Sequence, residues 1–180
     1  MSEIQDANQD ANQDTNLDLN QDPASLYQLG ERYNKGEGVS KDHQEAVKLF
    51  KISAEQGYSK AQSSLGIMYA EGIGVKKDYI EAIKWFISSA KQKNSSGEYY
   101  LGTMYASGFG VSQSIQQAIK WYQLSGKGGN IQAQFELGEA YLKGKGVSQD
   151  YEEAIKWYLL AANEGDMKSQ AKLGYIYFKG

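Results

Sequence analysis

Apolar and polar residues follow one another along this chain in a helical rhythm that restarts every 36 residues. In one unit Ala61, Leu65, Met68 and Tyr69 fall at i, i+4, i+7 and i+8, a single apolar stripe along a helix. Ala82, Ile83, Phe86 and Ala90 draw a second stripe shortly after it. Leu-Gly recurs at Leu29-Gly30, Leu65-Gly66, Leu101-Gly102, Leu137-Gly138 and Leu173-Gly174. Three residues after each glycine stands a tyrosine: Tyr33, Tyr69, Tyr105, Tyr141 and Tyr177. In the second stripe alanine recurs at Ala46, Ala82, Ala118 and Ala154. An aromatic pair recurs at Trp85-Phe86, Trp121-Tyr122 and Trp157-Tyr158, with Leu49-Phe50 as a weaker first version. Self-similarity at a period of this length marks supersecondary units that stack. Two helices per unit predict an all-α solenoid over residues 23–180, four 36-residue helix pairs and a terminal helix.

The helix ends are written in the sequence too. Asp22 before Pro23 reads as an N-cap with proline at the first helical position, where its missing N–H is harmless. The second helices open at Asp42–Glu45, Asp78–Glu81, Ser114–Gln117 and Asp150–Glu153. An acceptor with Glu or Gln three residues on predicts a reciprocal capping box. The first helices end at Gly36, Gly72, Gly108, Gly144 and Gly180, where a left-handed residue is favoured. The valine after each glycine loop is expected to tuck back onto the helix pair. Lys93 stands where other repeats have Gly57, Gly129 and Gly165, and Asn94 is expected to take the left-handed conformation in its place. The Leu-Gly glycines lie inside helices, where glycine costs about 0.5–1 kcal/mol against alanine. Close approach of a neighbouring helix is the expected reason.

Glycine loops followed by lysines raise the question of a phosphate site. A phosphate-binding P-loop needs G-x-x-x-x-G-K-[ST] between a strand and a helix, and no copy here has that spacing. The loops therefore turn the chain.

Composition narrows the classes further. There is no cysteine, which excludes disulfides and cysteine-based zinc sites. No run of about 18 apolar residues exists to span a membrane. The amino terminus lacks the basic and apolar regions of a secretory signal, so a cytoplasmic location is expected. The net charge of -3 is uneven: residues 1–22 carry six carboxylates without Lys or Arg, and the remainder is mildly basic. Residues 1–22 repeat a Gln-Asp-Ala-Asn pattern almost without apolar side chains and are expected to form a disordered acidic tail. Nucleic acid would call for a concentrated basic patch, which the body does not offer.

Candidate chemistry is sparse. His43 is the only histidine, whereas a metal site needs several converging ligands and a triad needs a nucleophile and an orienting group. It reads as a solvent-facing helix residue, and neither a metal nor a cofactor is expected. Glu152 and Glu153 are adjacent in sequence and so point in different directions on a helix. Lys48, Lys84, Lys120 and Lys156 recur once per repeat and predict a basic ladder on a solvated outer face.

Ala61, Leu65-Gly66, Tyr69, Gly72-Ile73-Gly74-Val75, Asp78, Ala82, Trp85 and Ala90, with their equivalents, resemble the Sel1-like repeat, a relative of the tetratricopeptide repeat. The resemblance covers about residues 23–180. It implies a right-handed superhelical solenoid of antiparallel helix pairs, serving as an adaptor for protein partners without catalysis. Some members are secreted, cysteine-rich and linked to β-lactams or cell-wall fragments. That is the alternative reading, disfavoured here by the absence of cysteine.

Scaffold positions recur because the interfaces between repeats are alike, and positions that refuse to recur are free to carry specificity. Along one edge of the first helices these are Tyr27, Glu31 and Asn34, then Ile67, then Tyr99 and Thr103, then Phe135, Glu139 and Leu142, then Tyr175. Helical spacing puts each set on one stripe. If the first helices line the concave wall, as in related arrays, these residues form a groove for a protein or peptide. Tyr99 and Phe135 would be its aromatic anchors, and Trp121 would belong to the recurring core. Tyr175, Ile176, Tyr177 and Phe178 lie together on a last helix with no second helix to cover it. Either a longer natural chain or self-association through that helix is expected.

Overall fold

The structure is a computed structural model and describes residues 22–179. Among these residues it contains nine helices and no strand. The helices are α1 Pro23–Lys35, α2 His43–Glu55, α3 Ser59–Glu71, α4 Tyr79–Lys91, α5 Ser95–Ser107, α6 Ile115–Lys127, α7 Ile131–Lys143, α8 Tyr151–Asn163 and α9 Met167–Lys179. Each helix packs on its neighbours in chain order, most extensively on its partner within a pair, and α9 closes the row against α8. This is the expected solenoid. Of the expected acidic tail only Asp22 is described; residues 1–21 lie outside the described part.

The caps form, with one difference. The Asp22 carboxylate accepts the Ser25 N–H at 3.0 Å, beside Pro23. Asp42, Asp78, Ser114 and Asp150 accept backbone N–H groups in the first turn of α2, α4, α6 and α8. The backbone N–H of each cap residue is already used, however. It donates to the carbonyl of Tyr33, Tyr69, Tyr105 or Tyr141 at 2.9–3.0 Å, which fixes the length of the loop between the paired helices. The glutamates therefore do not close a reciprocal box. Glu45, Glu81 and Glu153 instead hold Lys48, Lys84 and Lys156 at 2.6, 2.8 and 3.0 Å. The expected basic ladder is thus largely neutralised by its own helices.

The glycines explain the spacing. Within each of the first four repeats an aromatic ring of the second helix lies on the Leu-Gly glycine. A Cβ at Gly66, Gly102 or Gly138 would come within 2.5 Å of Phe86, Tyr122 or Tyr158. In the second to fourth loops the second glycine brings successive repeats together: a Cβ at Gly74 would meet the His43 carbonyl oxygen at 2.3 Å. At the turn before α5, Lys93 itself takes the left-handed conformation, with φ of 58°. Asn94, expected in that role, has φ of -77° and caps α5 by accepting the N–H groups of Ser96 and Gly97. Asn130 caps α7 from the equivalent position with Gly129 left-handed before it, so the register of the turn puts the left-handed conformation on Lys93.

The core runs along the row of pairs. Ala46, Phe50, Ala82, Phe86, Ala118, Tyr122, Ala154 and Tyr158 are buried, with Leu65, Leu101 and Leu137 from the first helices. The second member of each aromatic pair is the one at the centre. Trp85 and Trp121 are half-buried and flank it, while Trp157 is buried. Trp121 is therefore an edge residue rather than the core residue expected. Three fully buried serines tie α2, α4 and α6 to the starts of α1, α3 and α5: Ser53, Ser89 and Ser125 donate to the carbonyls of Pro23, Ser59 and Ser95 at 2.5, 2.8 and 2.6 Å. His43 is half-buried, with Nδ1 at 2.9 Å from Asn34 Oδ1, rather than facing solvent.

Candidate functional site

First-helix residues and the loops beside them enclose a depression at each joint between the four complete repeats. The joint of repeats 1 and 2 holds one of about 240 Å³, lined by Glu31, Asn34, Phe50, Ile67, Glu71 and Ile73 among others. At the next joint Ile67, Ala70, Tyr79, Tyr100, Met104 and Phe109 are the apolar part of one of about 320 Å³, with Glu71, Lys77 and Thr103 as its polar part. At the joint of repeats 3 and 4, Ile115, Ile119, Tyr122 and Phe135 are met by Glu136, Glu139, Lys143 and Lys145 around about 250 Å³.

Six of the expected groove residues line these depressions: Glu31, Asn34, Ile67, Thr103, Phe135 and Glu139. Glu31 is held by Lys35 at 3.0 Å and Asn34 by His43. Thr103 Oγ1 donates to the Tyr99 carbonyl at 3.2 Å. The other four residues lie elsewhere. Tyr27 packs between the rings of Phe50 and Tyr58, with centroids 5.6 and 5.4 Å away. Tyr99 sits 5.2 Å from Tyr100, edge-on, and 5.8 Å from Tyr122. Leu142 packs against the cluster around Tyr158. Tyr175 is exposed on α9. Phe135 lines the third depression and also packs 5.9 Å from Tyr158. The two expected anchors are therefore half-buried against second-helix aromatics rather than standing free.

Reading first-helix stripes alone misses the loops. The middle residue of each Gly-x-Gly is Glu37, Ile73, Phe109 or Lys145, and the last three line a depression. Phe109 is 44% exposed, yet its ring stacks on Tyr79 at 4.8 Å with the planes 6° apart. Lys77 lies 5.8 Å from the centre of the Tyr79 ring. The non-recurrence test applied to the first helices would have found these positions had it been extended to the loops.

Electrostatics distinguish the third depression. Burial works to raise the Glu139 carboxyl, but Lys143, Lys172 and the Tyr158 hydroxyl outweigh it and hold the group at about 2. Tyr158 donates to Glu139 Oε1 at 2.6 Å, Lys172 reaches the same oxygen at 2.6 Å, and Lys143 takes Oε2. Burial, with Glu139 beside it, pushes Glu136 upward against the pull of Lys145, Lys143 and Lys168. The Tyr122 phenol is pushed up to about 12, chiefly by burial. Two carboxyls driven apart are the raw material of acid–base chemistry. Here both oxygens of the ionised one are engaged, so Glu139 serves as a link between helices. Among the described residues no group of three or more His, Cys, Asp or Glu side chains could hold a metal ion.

The repeat geometry agrees with known proteins. A family model for the Sel1 repeat matches residues 23–58, 59–94, 95–130, 131–166 and 168–180. The chain belongs to the Sel1 repeat family. A Sel1 repeat protein from Oxalobacter formigenes shares 40% identity over 87% of this chain and 64% of its own, with a TM-score of 0.81. The c5321 protein, a protective antigen present in uropathogenic Escherichia coli strains and displaying an SLR fold, shares 36% identity over 88% of this chain, with a TM-score of 0.80. The chain spans 64% of the first of these Sel1 proteins and 34% of the second. No curated protein matches the sequence. Sel1 repeats generally mediate protein–protein interaction, and the fold is typically a non-enzymatic scaffold. Among the described residues no helix is long and apolar enough to cross a membrane.

Proposed function

We propose that this chain is a non-catalytic scaffold that binds a protein or peptide partner along its first-helix face. Neither nucleic acid nor a membrane is the intended ligand, and the cytoplasm is its setting. The observation that carries the reading is the depression at each of the three joints. The scaffold repeats from pair to pair, whereas the residues lining the joints differ: acidic at the first, apolar and aromatic at the second, mixed in charge at the third. A row of unlike sockets on a regular frame suits an extended chain whose successive side chains differ.

A photoreactive residue placed at Thr103, on the rim of the second depression, tests this against one placed at Lys120, an exposed residue of α6. Thr103 should trap one defined partner from source lysate, and Phe109→Ser should reduce that trapping at least tenfold while costing only about 0.5–1.5 kcal/mol of stability, the worth of one stacked pair. Equal trapping at Lys120, or none at Thr103, would overturn the reading. Self-association through α9 is a second part of the proposal, supported by the exposure of Tyr175, Tyr177 and Phe178. Sedimentation of the chain as a monomer at the highest attainable concentration would remove it.

A further inference from the structure

One joint departs from the others in a way that concerns protons. In repeats 2, 4 and 5 a glutamine near the start of the first helix donates Nε2 to a carbonyl at the end of the preceding second helix. Gln62 reaches Ala54 at 3.1 Å, Gln134 reaches Gly126 at 3.0 Å and Gln170 reaches Ala162 at 3.2 Å. Carbonyls at a helix end carry its negative pole; each of these already accepts the N–H of the turn residue (Gly57, Lys93, Gly129 or Gly165) at 2.8–3.1 Å, and the glutamine adds a second donor. In repeat 3 the residue is Glu98, only 5% exposed, at the end of α4 where Ala90 is the equivalent carbonyl. Among the described residues no hydrogen bond reaches its carboxyl. Gln62 also accepts from Gln92 at 2.9 Å, while Gly128, the counterpart of Gln92, gives Glu98 nothing.

The second departure is Lys93, at the turn position held elsewhere by Gly57, Gly129 and Gly165. It is the one non-glycine residue with positive φ among those described. Its ammonium also acts on Glu98, drawing the carboxyl down while burial, the larger effect, pushes it up. The last turns of α4 and α6 bring Lys91 and Lys127 to this region, both exposed.

We propose that Glu98 and Lys93 make the joint between repeats 2 and 3 proton-sensitive: a protonated Glu98 takes the amide's place and donates to the end of α4, and an ionised one loses that bond and leans on Lys93. A carboxylic acid has the O–H that a carboxylate lacks. The sign follows from burial. With the folded carboxyl above its ordinary value, its contribution is full below about 4.5 and is lost as pH rises through the folded value. Acid tightens this joint. The inference is independent of which face binds a partner.

Urea unfolding of the full chain near pH 4.5 and near pH 7.5 tests it, in the wild type, Glu98→Gln, Lys93→Gly and the double variant. Glu98→Gln should raise the folding constant roughly fivefold to tenfold at the higher pH, the worth of one buried hydrogen bond, and little at the lower. Lys93→Gly should help more in the Glu98→Gln background than alone at the higher pH, and equally in both at the lower. A Glu98→Gln effect independent of pH overturns the proposal. Should a variant fail to fold, the carboxyl carbon of Glu98 can be titrated by NMR in the wild type. A midpoint at or below that of free glutamate overturns it as well.

Discussion

A methyl group separates two outcomes at equivalent glycines. At Gly138 a Cβ would lie 2.5 Å from the Tyr158 ring, and that ring cannot swing away because its hydroxyl is held by Glu139 at 2.6 Å. At Gly174 nothing lies within 4 Å. Gly138→Ala should destabilise by about 1–3 kcal/mol through overpacking, whereas Gly174→Ala should stabilise by about 0.5–1 kcal/mol through helix propensity. Thermal melts of the two variants should move in opposite directions. A second residue-scale effect concerns Gln134, whose Oε1 is buried without a partner. Its counterpart Gln62 accepts from Gln92, and the position of Gln92 is held by Glu164 in the fourth repeat. An ionised carboxylate has no proton to give. Glu164→Gln should supply the donor and add about 0.5–1.5 kcal/mol, measurable as a higher urea midpoint.

At the scale of the helix, the start signals were legible in sequence and their wiring was not. Asp42, Asp78, Ser114 and Asp150 cap as their spacing predicts, because capping is a local interaction over three residues. The second half of the box depended on whether the cap N–H was free, and the tyrosine carbonyl of the preceding helix takes it. Asp78→Ala should therefore cost about 1 kcal/mol, while Glu81→Ala should change the melting curve little, since its carboxylate meets only the exposed Lys84. A true reciprocal box would make both substitutions costly. The groove shows the same division. Non-recurrence picked out Ile67 and Thr103, which line depressions, but also Tyr99, which periodicity could not separate from packing residues. Tyr99→Ala with Phe135→Ala removes two half-buried rings packed against Tyr122 and Tyr158. We expect the pair to lower stability by about 2–4 kcal/mol, so a loss of binding in that variant would need a folding control by circular dichroism.

Across the whole molecule, Glu139 links three helices: α7 carries it, α8 supplies Tyr158 and α9 supplies Lys172. Its folded carboxyl, held at about 2, lies below the ordinary 4.5. The stability it contributes is present above about pH 4.5 and is lost as pH falls toward 2. Glu139→Gln should flatten the acid limb of the stability profile by an amount on the order of 1–3 kcal/mol. Hydrogen exchange should show α9 loosening first. Glu98 slopes the other way at higher pH, so the two variants separate the two effects.

The period, the helix pairs, the capping acids and the turn glycines were determined by the sequence itself. Each is a local property, repeated often enough that chance and tertiary context average out. Tertiary structure alone decided where the side chains of unlike repeats meet. It sent the glutamates to Lys48, Lys84 and Lys156 instead of the caps, and set Lys93 rather than Asn94 in the left-handed turn. It also brought Phe109 onto Tyr79, and joined Glu139 to Tyr158 and Lys172. The Phe109 and Glu139 contacts join residues on different helices and loops, and their geometry follows from how closely helices and successive pairs pack. No spacing within one helix encodes these distances; rings packed on the Leu-Gly glycines set the one within a pair, and close approach at Gly74, Gly110 and Gly146 sets the one between pairs.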